Sequence, residues 1–510
     1  MKLMFSEKSR VAALIAFLAV FVIFAGNVSA QRRTADAKKT QTPARDARKD
    51  SGRARLAAAQ SKKDAEKLVE ARSVAAERHR VVIAERLRRE RAIREARARK
   101  QAFERGLRTE TVANISRDKT DGEDLNIRRS AVEALGSKAG SVVVMEAQTG
   151  KILTIVNQDW AIRSSIKPCS TIKLVTGVAG LNENVINKED GSIHNSSTRL
   201  DLDDAIAFSN NGYFQRVGSQ LGNAKMIGYA KQMGLGEPTG INADGESAGR
   251  LAIGNNNARI YSHGDSFEVT PLQLAVVVSE ITNGGTRVVP RIPRNTVERT
   301  NFQPGYGRRL DLPQAAVRRM IPGMIGAAEY GTAHRGVDAS LGIAGKTGSC
   351  ISKGSWVGLF ASVAPVEKPK YSVVVITRGQ HERGKYAAAV AGRIYRALSP
   401  RLVRSDVNLA RTEFKVKPKP ANVDKAVADY SDEEDDSETA NDTGDRKAVV
   451  ETETDGRNVI TVRSAPRSVA AQPIPKKLIH KTASSAPLFP PVVITYKKDP
   501  ADKKRSQPHD

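Results

Sequence analysis

The sequence predicts an α+β domain in which strands at both ends of a long segment enclose helices. Two β-branched runs, residues 141–144 and 152–156, flank a Gln-Thr-Gly sequence that is typical of a hairpin turn. Three more strand-like runs follow much later, at residues 342–350, 356–364 and 371–377. Helical patterns, such as residues 272–281 and 315–328, lie between the two groups. Strands at both ends with helices between them favour a layered α+β fold with a five-stranded sheet.

The first thirty residues read as an export signal. Basic residues precede an unbroken apolar run at 11–25, and small residues follow at Gly26, Ser29 and Ala30. Fifteen apolar residues are short for a spanning helix, which needs about twenty. Residues 1–30 are therefore predicted to be a signal peptide, with an uncleaved membrane anchor as the alternative. In both cases the domain is exported, to the periplasm or to the periplasmic face of the inner membrane.

Residues 31–124 form a basic spacer rich in Ala and Arg. Residues 56–107 predict a long, highly charged helix with only a weak apolar stripe, made of Leu68, Val82, Ile83, Leu87 and Ile93. No sustained heptad pattern favours a coiled coil. The arginine excess suits anionic envelope polymers, whereas the export signal disfavours nucleic acid as a partner. The formal net charge of +26 is that of the whole chain, and much of it comes from this spacer. It therefore does not describe the domain that follows.

Residues 405–510 are predicted to be a disordered tail. An acidic run at residues 431–438 gives way to sequence that contains Pro and Lys. Low hydrophobicity with clustered charge does not offset the entropy lost on ordering.

Ser170 and Lys173 form the most informative pair in the sequence. They stand three residues apart at the start of an apolar run, residues 174–181. On a helix, side chains at this spacing share a face, so the amine can lie beside the hydroxyl. Lys173 is the only charged residue between positions 168 and 182, and burial disfavours the ammonium form of a lysine. A neutral lysine beside a hydroxyl is a general base that makes the serine a nucleophile.

A second pair with the same spacing, Ser164 and Lys167, is rejected. A Ser-x-x-Lys sequence is expected by chance about twice in a chain of this length, so spacing alone identifies nothing. Pro168 disfavours the helical conformation at Lys167, which leaves Ser170 and Lys173 as the candidate pair.

Two tripeptides later in the sequence form a set of three motifs with the Ser170 and Lys173 pair. Ser209-Asn210-Asn211 follows about forty residues after the first pair, and Lys346-Thr347-Gly348 follows much later. A Lys-Thr-Gly sequence is expected by chance about 0.1 times in such a chain. The three elements stand in the order found in penicillin-binding proteins and serine β-lactamases, except that Asn210 replaces the Asp of class A β-lactamases.

Residues 125–404 accordingly resemble the transpeptidase domain of penicillin-binding proteins. The similar segments include the hairpin, Thr270-Pro271-Leu272-Gln273, Asn283-Gly284-Gly285 and Gly331-Thr332-Ala333. The resemblance implies an antiparallel five-stranded sheet flanked by helices, with an all-helical subdomain and the site between them.

The resemblance also implies a role for each motif residue. Ser170 attacks a D-Ala-D-Ala terminus and Lys173 takes its proton, while Ser209 and Lys346 relay a proton to the leaving D-alanine. Asn211 holds the substrate amide and the Lys173 amine. The substrate-binding residues on the later strand are Thr347, Gly348 and Ser349. No cofactor and no metal are expected.

Several functions fit these residues. A D,D-transpeptidase, whose partners are peptidoglycan stem peptides and the β-lactams that inhibit it covalently, is the primary prediction. A D,D-carboxypeptidase and a serine β-lactamase are alternatives, and Glu246 is a conceivable deacylating group in the latter. A non-catalytic β-lactam-binding envelope scaffold or sensor is a further alternative, and divisome or elongation proteins are possible partners. A structural role is favoured for His263.

The chain's two cysteines, Cys169 and Cys350, flank motif residues. If the N–H groups of Ser170 and Ser349 converge on one oxyanion, the cysteines become neighbours, as in some class A carbapenem-hydrolysing β-lactamases. Strand alternation should turn Cys350 away from the face that carries Thr347 and Ser349. Export permits a disulfide, and two buried free thiols are the alternative.

Overall fold

A computed structural model describes residues 47–197, 200–309, 314–402 and 407–431. The predicted signal or anchor, residues 1–30, and residues 432–510 of the predicted tail lie outside these ranges. The helices are α1 (Ala47–Arg117), α2 (Leu125–Leu135), α3 (Lys173–Asn182), α4 (Leu202–Ala207), α5 (Asn211–Leu221), α6 (Asn223–Gln232), α7 (Pro271–Thr282), α8 (Thr296–Thr300), α9 (Gln314–Arg318), α10 (Ile321–Glu329), α11 (Gly384–Leu398), α12 (Val407–Glu413) and α13 (Val423–Tyr430). The strands are β1 (Ala139–Glu146), β2 (Ile152–Val156), β3 (Thr286–Val289), β4 (Gly305–Arg309), β5 (Ala344–Ser352), β6 (Ser355–Ala364) and β7 (Tyr371–Gly379).

The central sheet has five antiparallel strands in the order β2-β1-β7-β6-β5, and β3 and β4 form a separate hairpin. The predicted hairpin and the three later strands are confirmed. The first and last strands among the described residues, β1 and β7, pair near the centre of the sheet, for example Val143 opposite Val374. This closure leaves β5, the strand that carries Lys346, at one edge.

Helices cover both faces of the sheet, as the α+β prediction requires. Alternate residues of a strand point to opposite faces. Val142 and Val144 pack in one cluster with α2 and α11, whereas Val143 and Met145 belong to a second cluster shared with the helices α3 to α7. The all-helical part therefore lies on the face opposite α11, and β5 runs along its border.

The helical pattern predicted at residues 315–328 is present in the structure but is interrupted. The structure has two helices there, α9 and α10, separated by Arg319 and Met320. Pro322 stands in the first turn of α10. Its ring nitrogen has no hydrogen to donate, so a proline is tolerated at the start of a helix and breaks one in its interior.

The predicted long helix is present, and its C-terminal end is docked on the domain. Leu107 is buried with Ala139 and Trp160, and the Trp160 indole donates a hydrogen bond to Glu110 at 2.8 Å. The weak apolar stripe from Leu68 to Ile93 stays exposed to solvent. In the described part of the chain, no helix combines the length and the apolar character needed to cross a membrane.

The predicted disorder from residue 405 onward is wrong for residues 407–431, which include the helices α12 and α13. Ala410 and Phe414 are buried in the larger core cluster, and Ala426 is buried beside Phe208. These apolar side chains are too sparse to stand out in a charged segment. They become stabilising only because the folded domain offers surfaces that receive them.

Candidate active site

Ser170 lies in a short 3-10 helix that leads into α3. This turn, Cys169–Ile172, follows Pro168 and continues directly as the α-helix that begins at Lys173. Side chains three apart eclipse one another in a 3-10 helix. The Lys173 Nζ atom consequently lies 3.0 Å from the Ser170 Oγ atom, and both side chains are buried.

The second motif surrounds the same amine. Ser209 and Asn210 link α4 to α5, and the Asn210 side chain caps α5 by accepting from the Tyr213 N–H. The Lys173 amine donates to the Ser209 carbonyl oxygen at 2.5 Å and to the Asn211 side-chain oxygen at 2.7 Å. Its nitrogen lies 3.0 Å from the Ser209 hydroxyl. One amine thus joins both motifs.

These partners fit a lysine that exchanges a proton. The Ser209 carbonyl and the Asn211 amide oxygen only accept, so they occupy two N–H bonds in either state of the amine. A serine hydroxyl can both donate and accept. The third amine position, which the hydroxyls of Ser170 and Ser209 both approach to 3.0 Å, can therefore give a hydrogen to a hydroxyl when the amine is charged or accept one when it is neutral.

The third motif lies on edge strand β5, next to the turn that carries Ser170. A Cβ atom added at Gly348 would meet the Cβ atom of Cys169 at 3.3 Å, so glycine permits this close approach. Lys346 is fully buried, and its amine donates to the Thr347 carbonyl oxygen at 3.0 Å.

Thr347 and Ser349 face the other side of β5, toward the start of α11. The hydroxyls of Thr347 and Thr332 lie 2.5 Å apart, and the Ser349 hydroxyl accepts from the Gly384 N–H at 2.8 Å. Both side chains are fully buried. The strand therefore carries Lys346 and Gly348 on one face, and the two hydroxyls on the other.

Cys169 and Cys350 form a disulfide in the structure, with their Cα atoms 5.5 Å apart. It connects the turn that carries Ser170 to β5, directly beyond Ser349. Both cysteines belong to the core cluster on the helical side of the sheet, whereas the Ser349 hydroxyl contacts α11. The bond ties two motifs together across 181 residues of sequence.

Three other titratable residues near the motifs have structural partners. The Lys167 amine forms an ion pair with Asp265 at 2.5 Å, and the Glu246 carboxylate accepts from the N–H groups of Thr239 and Gly240. Burial would raise the pKa of Asp265, but Lys167 and Arg259 outweigh it and lower that pKa. His263 is buried, with its Nδ1 atom 2.6 Å from the adjacent Ser262 hydroxyl.

Two residues at the site were given no role from sequence. Thr332, near the start of the loop after α10, contacts Thr347, and the Phe214 ring centre lies 5.9 Å from the Lys173 amine. A cation above an aromatic face at this range is attracted to it. Thr332 stands within a family-like tripeptide, whereas no sequence signal marks Phe214. Over the residues with described positions, no three His, Cys, Asp or Glu side chains are grouped as a metal site requires.

Comparison with known proteins gives a consistent picture. A family model described as the penicillin binding protein transpeptidase domain matches residues 140–398. Penicillin-binding protein PbpB of Mycolicibacterium smegmatis is 25% identical over 305 residues, which are 48% of this chain and 47% of PbpB. Peptidoglycan D,D-transpeptidase MrdA of Acinetobacter baumannii is 24% identical over 367 residues, which are 55% of this chain and 54% of MrdA.

The chain spans about half the length of the curated relatives it matches. Among solved structures, Pseudomonas aeruginosa PBP2 in complex with WCK 5153 aligns with 56% of this chain and 78% of its own, with 19% identity and a TM-score of 0.48.

Proposed function

This chain belongs to the penicillin-binding protein transpeptidase family, and we propose on that basis that it is a serine D,D-transpeptidase which cross-links peptidoglycan stem peptides. One observation carries the proposal above all. The buried amine of Lys173 lies at hydrogen-bond distance from the Ser170 hydroxyl and also donates to the Ser209 carbonyl and the Asn211 side-chain oxygen. A nucleophile, an adjacent base and groups that orient the base are what acyl transfer requires.

In the acylation step, the Ser170 oxygen attacks the carbonyl carbon of the penultimate D-alanine, and its proton passes to Lys173. The N–H groups of Ser170 and Ser349 stabilise the oxyanion. When the intermediate collapses, the C–N bond breaks and the terminal D-alanine leaves with a proton relayed through Ser209. Lys346 supports that transfer, and Thr347 binds the terminal carboxylate.

In the second step, the amine of a neighbouring stem peptide attacks the ester. An amide cross-link forms and the Ser170 oxygen regains its proton. A β-lactam acylates the same oxygen, but its opened ring remains attached to the acyl group. The acyl-enzyme is then expected to persist.

The rival functions differ in what resolves the acyl-enzyme. A carboxypeptidase uses water in place of the amine, and analysis of the products from a stem peptide separates the two. A β-lactamase needs a group that activates water, and the backbone contacts of Glu246 favour a structural role for that residue. A non-catalytic scaffold or sensor would bind penicillin without turning over stem peptides, and would use the exposed helix α1 for contacts.

Export to the periplasm is part of the proposal. It rests on the signal-like residues 1–30 and on the Cys169–Cys350 disulfide, which persists in an oxidising compartment.

Labelling with a fluorescent penicillin tests the proposal. The wild-type protein and Ser164→Ala should label, whereas Ser170→Ala should fold and form no covalent adduct. An adduct in Ser170→Ala would assign the nucleophile elsewhere and end the proposal.

A further inference from the structure

Residues 407–431, which we name the C-terminal clasp, run along α4, the helix that leads into the turn carrying Ser209. At the start of α4, the Lys417 amine pairs with Asp201 at 2.5 Å and with Asp204 at 2.6 Å. At the other end of α4, Ala426 is buried in one cluster with Ala207 and Phe208. The clasp therefore contacts both ends of the helix that delivers Ser209.

The last turn of the clasp reaches both neighbours of Ser209. The Tyr430 ring lies 5.5 Å from the Phe208 ring, and the Asn210 side chain donates to the Tyr430 carbonyl oxygen at 3.4 Å. Ser209 itself has φ +60°, a left-handed conformation that only the surroundings can hold in a residue other than glycine. These contacts bear directly on that turn.

Helix α13, which contains Tyr430, also contacts the loop that follows α10. Asp424 pairs with His334 at 3.2 Å and with Arg335 at 2.6 Å, just beyond Thr332 in the loop that follows α10. The Thr332 N–H donates to the Ala207 carbonyl oxygen at 3.0 Å. Helix α13 thus spans a junction between the Ser209 turn and the loop that contacts Thr347.

The two parts of the clasp are attached unequally. Helix α12 is held by the buried side chains of Ala410 and Phe414 and by an ion pair between Arg411 and Glu329. Among residues 423–430, only Ala426 is buried. A helix with few buried contacts opens at low free energy, so α13 can leave its place while α12 stays anchored.

We propose that docking of α13 positions the Ser209 turn and thereby sets the rate at which Ser170 is acylated. The inference rests on the proposed function, because it assigns to Ser209 a part in proton transfer. Tyr430 and Asp424 are positioning residues, since they act through Ser209 and the Thr332 loop rather than on the substrate. If the clasp were instead a tail without a role in the reaction, substitution of Tyr430 or Asp424 would leave the acylation rate unchanged.

Saturation kinetics with a fluorescent penicillin distinguish a positioning role of α13 from a tail without a role. They measure the dissociation constant of penicillin separately from the first-order acylation rate. In the full chain, the double variant Tyr430→Ala, Asp424→Ala should lower the acylation rate about tenfold and leave the dissociation constant within twofold. The single variant Tyr430→Phe keeps the aromatic ring and Asp424. Its acylation rate should therefore equal that of the wild type. Asp429→Ala, on an exposed position of the same helix, is the matched control and should react as the wild type does.

An unchanged acylation rate in the double variant, or an equal loss in Asp429→Ala, would overturn the inference. If the double variant does not fold, Asp424→Ala alone carries the test, and it should slow acylation about threefold with no change in the dissociation constant. A wild-type protein that never labels at Ser170 would instead refute the proposed function, so the two failures are distinguishable.

Discussion

The side-chain oxygen of Asn211 accepts a hydrogen bond from the amine of Lys173 at 2.7 Å. With the Ser209 carbonyl at 2.5 Å, it fixes two of the N–H directions of that amine. The hydroxyls of Ser170 and Ser209, each 3.0 Å from the nitrogen, both lie within reach of the remaining direction. The position of the base beside the nucleophile therefore depends on the side-chain amide of Asn211.

Asn211→Ala should slow acylation by penicillin about 100-fold, because small displacements of a catalytic group carry penalties of that order. Stopped-flow labelling measures the rate. Asn211→Asp should also be slow near neutral pH, since a carboxylate favours the protonated amine, and it should recover as the pH rises. Ser219→Ala, exposed on the same helix, serves as the control. Acylation of Asn211→Ala within threefold of the wild type would contradict this account of the base.

The sequence predicts most of the site because its chemistry is local or ordered along the chain. The spacing of Ser170 and Lys173 places both on one helical face, and the order of the three motifs identifies Ser209, Asn211 and Lys346. Contacts made across the fold carry no such signal. Phe214 faces the Lys173 amine only because α5 packs beside α3.

The fold was predicted where periodicity or turn chemistry is strong, as in the β1–β2 hairpin and the strands β5 to β7. The helical pattern at residues 315–328 gives no sign of the break at Arg319 and Met320, which precedes Pro322 in the first turn of α10. The clasp was missed because its order depends on distant partners. Lys417 and Asp424 read as ordinary solvated charges until the structure sets them against Asp201 and Arg335.

The penicilloyl-enzyme should survive for minutes or longer. Glu246 is the one carboxylate proposed as a deacylating group, and its oxygens accept hydrogen bonds from Thr239 and Gly240. Intact mass measured over time after labelling gives the lifetime, and Glu246→Gln should leave it unchanged within twofold. Turnover of many penicillins per second would favour a β-lactamase instead.

Removal of the disulfide should destabilise the protein and leave acylation within tenfold of the wild type. Cys169 and Cys350 close a loop of 181 residues, and chain-entropy estimates give a loss of up to about 5 kcal/mol in the free energy of unfolding. Denaturant unfolding of Cys169→Ala, Cys350→Ala against the wild type measures the loss. Thiol counting on unfolded, unreduced wild-type protein is the control, and two free thiols there would contradict the bond.

Glu280 is a buried carboxylate outside the site, on α7. Over the described residues, neither of its carboxylate oxygens has a hydrogen-bond partner. Burial raises the pKa of Glu280 to about 9, against a smaller lowering by Arg287. The folded protein thus holds a proton that the unfolded chain releases near its ordinary pKa of 4.5.

The contribution of Glu280 to the free energy of unfolding should therefore fall as the pH rises from about 4.5 to about 9, because its carboxyl group stays protonated in the folded state and is ionised in the unfolded state across that window. The contribution of Glu280 is complete below the lower value and lost above the upper one. Glu280→Gln stays neutral at every pH, so its advantage over the wild type should grow between pH values of about 5 and 8.5, as denaturant unfolding at several pH values would measure. Glu77→Gln, which makes the same change at an exposed position on α1, is the control variant. A Glu280→Gln difference that stays constant over this range would show that the wild-type carboxyl is already ionised in the folded protein.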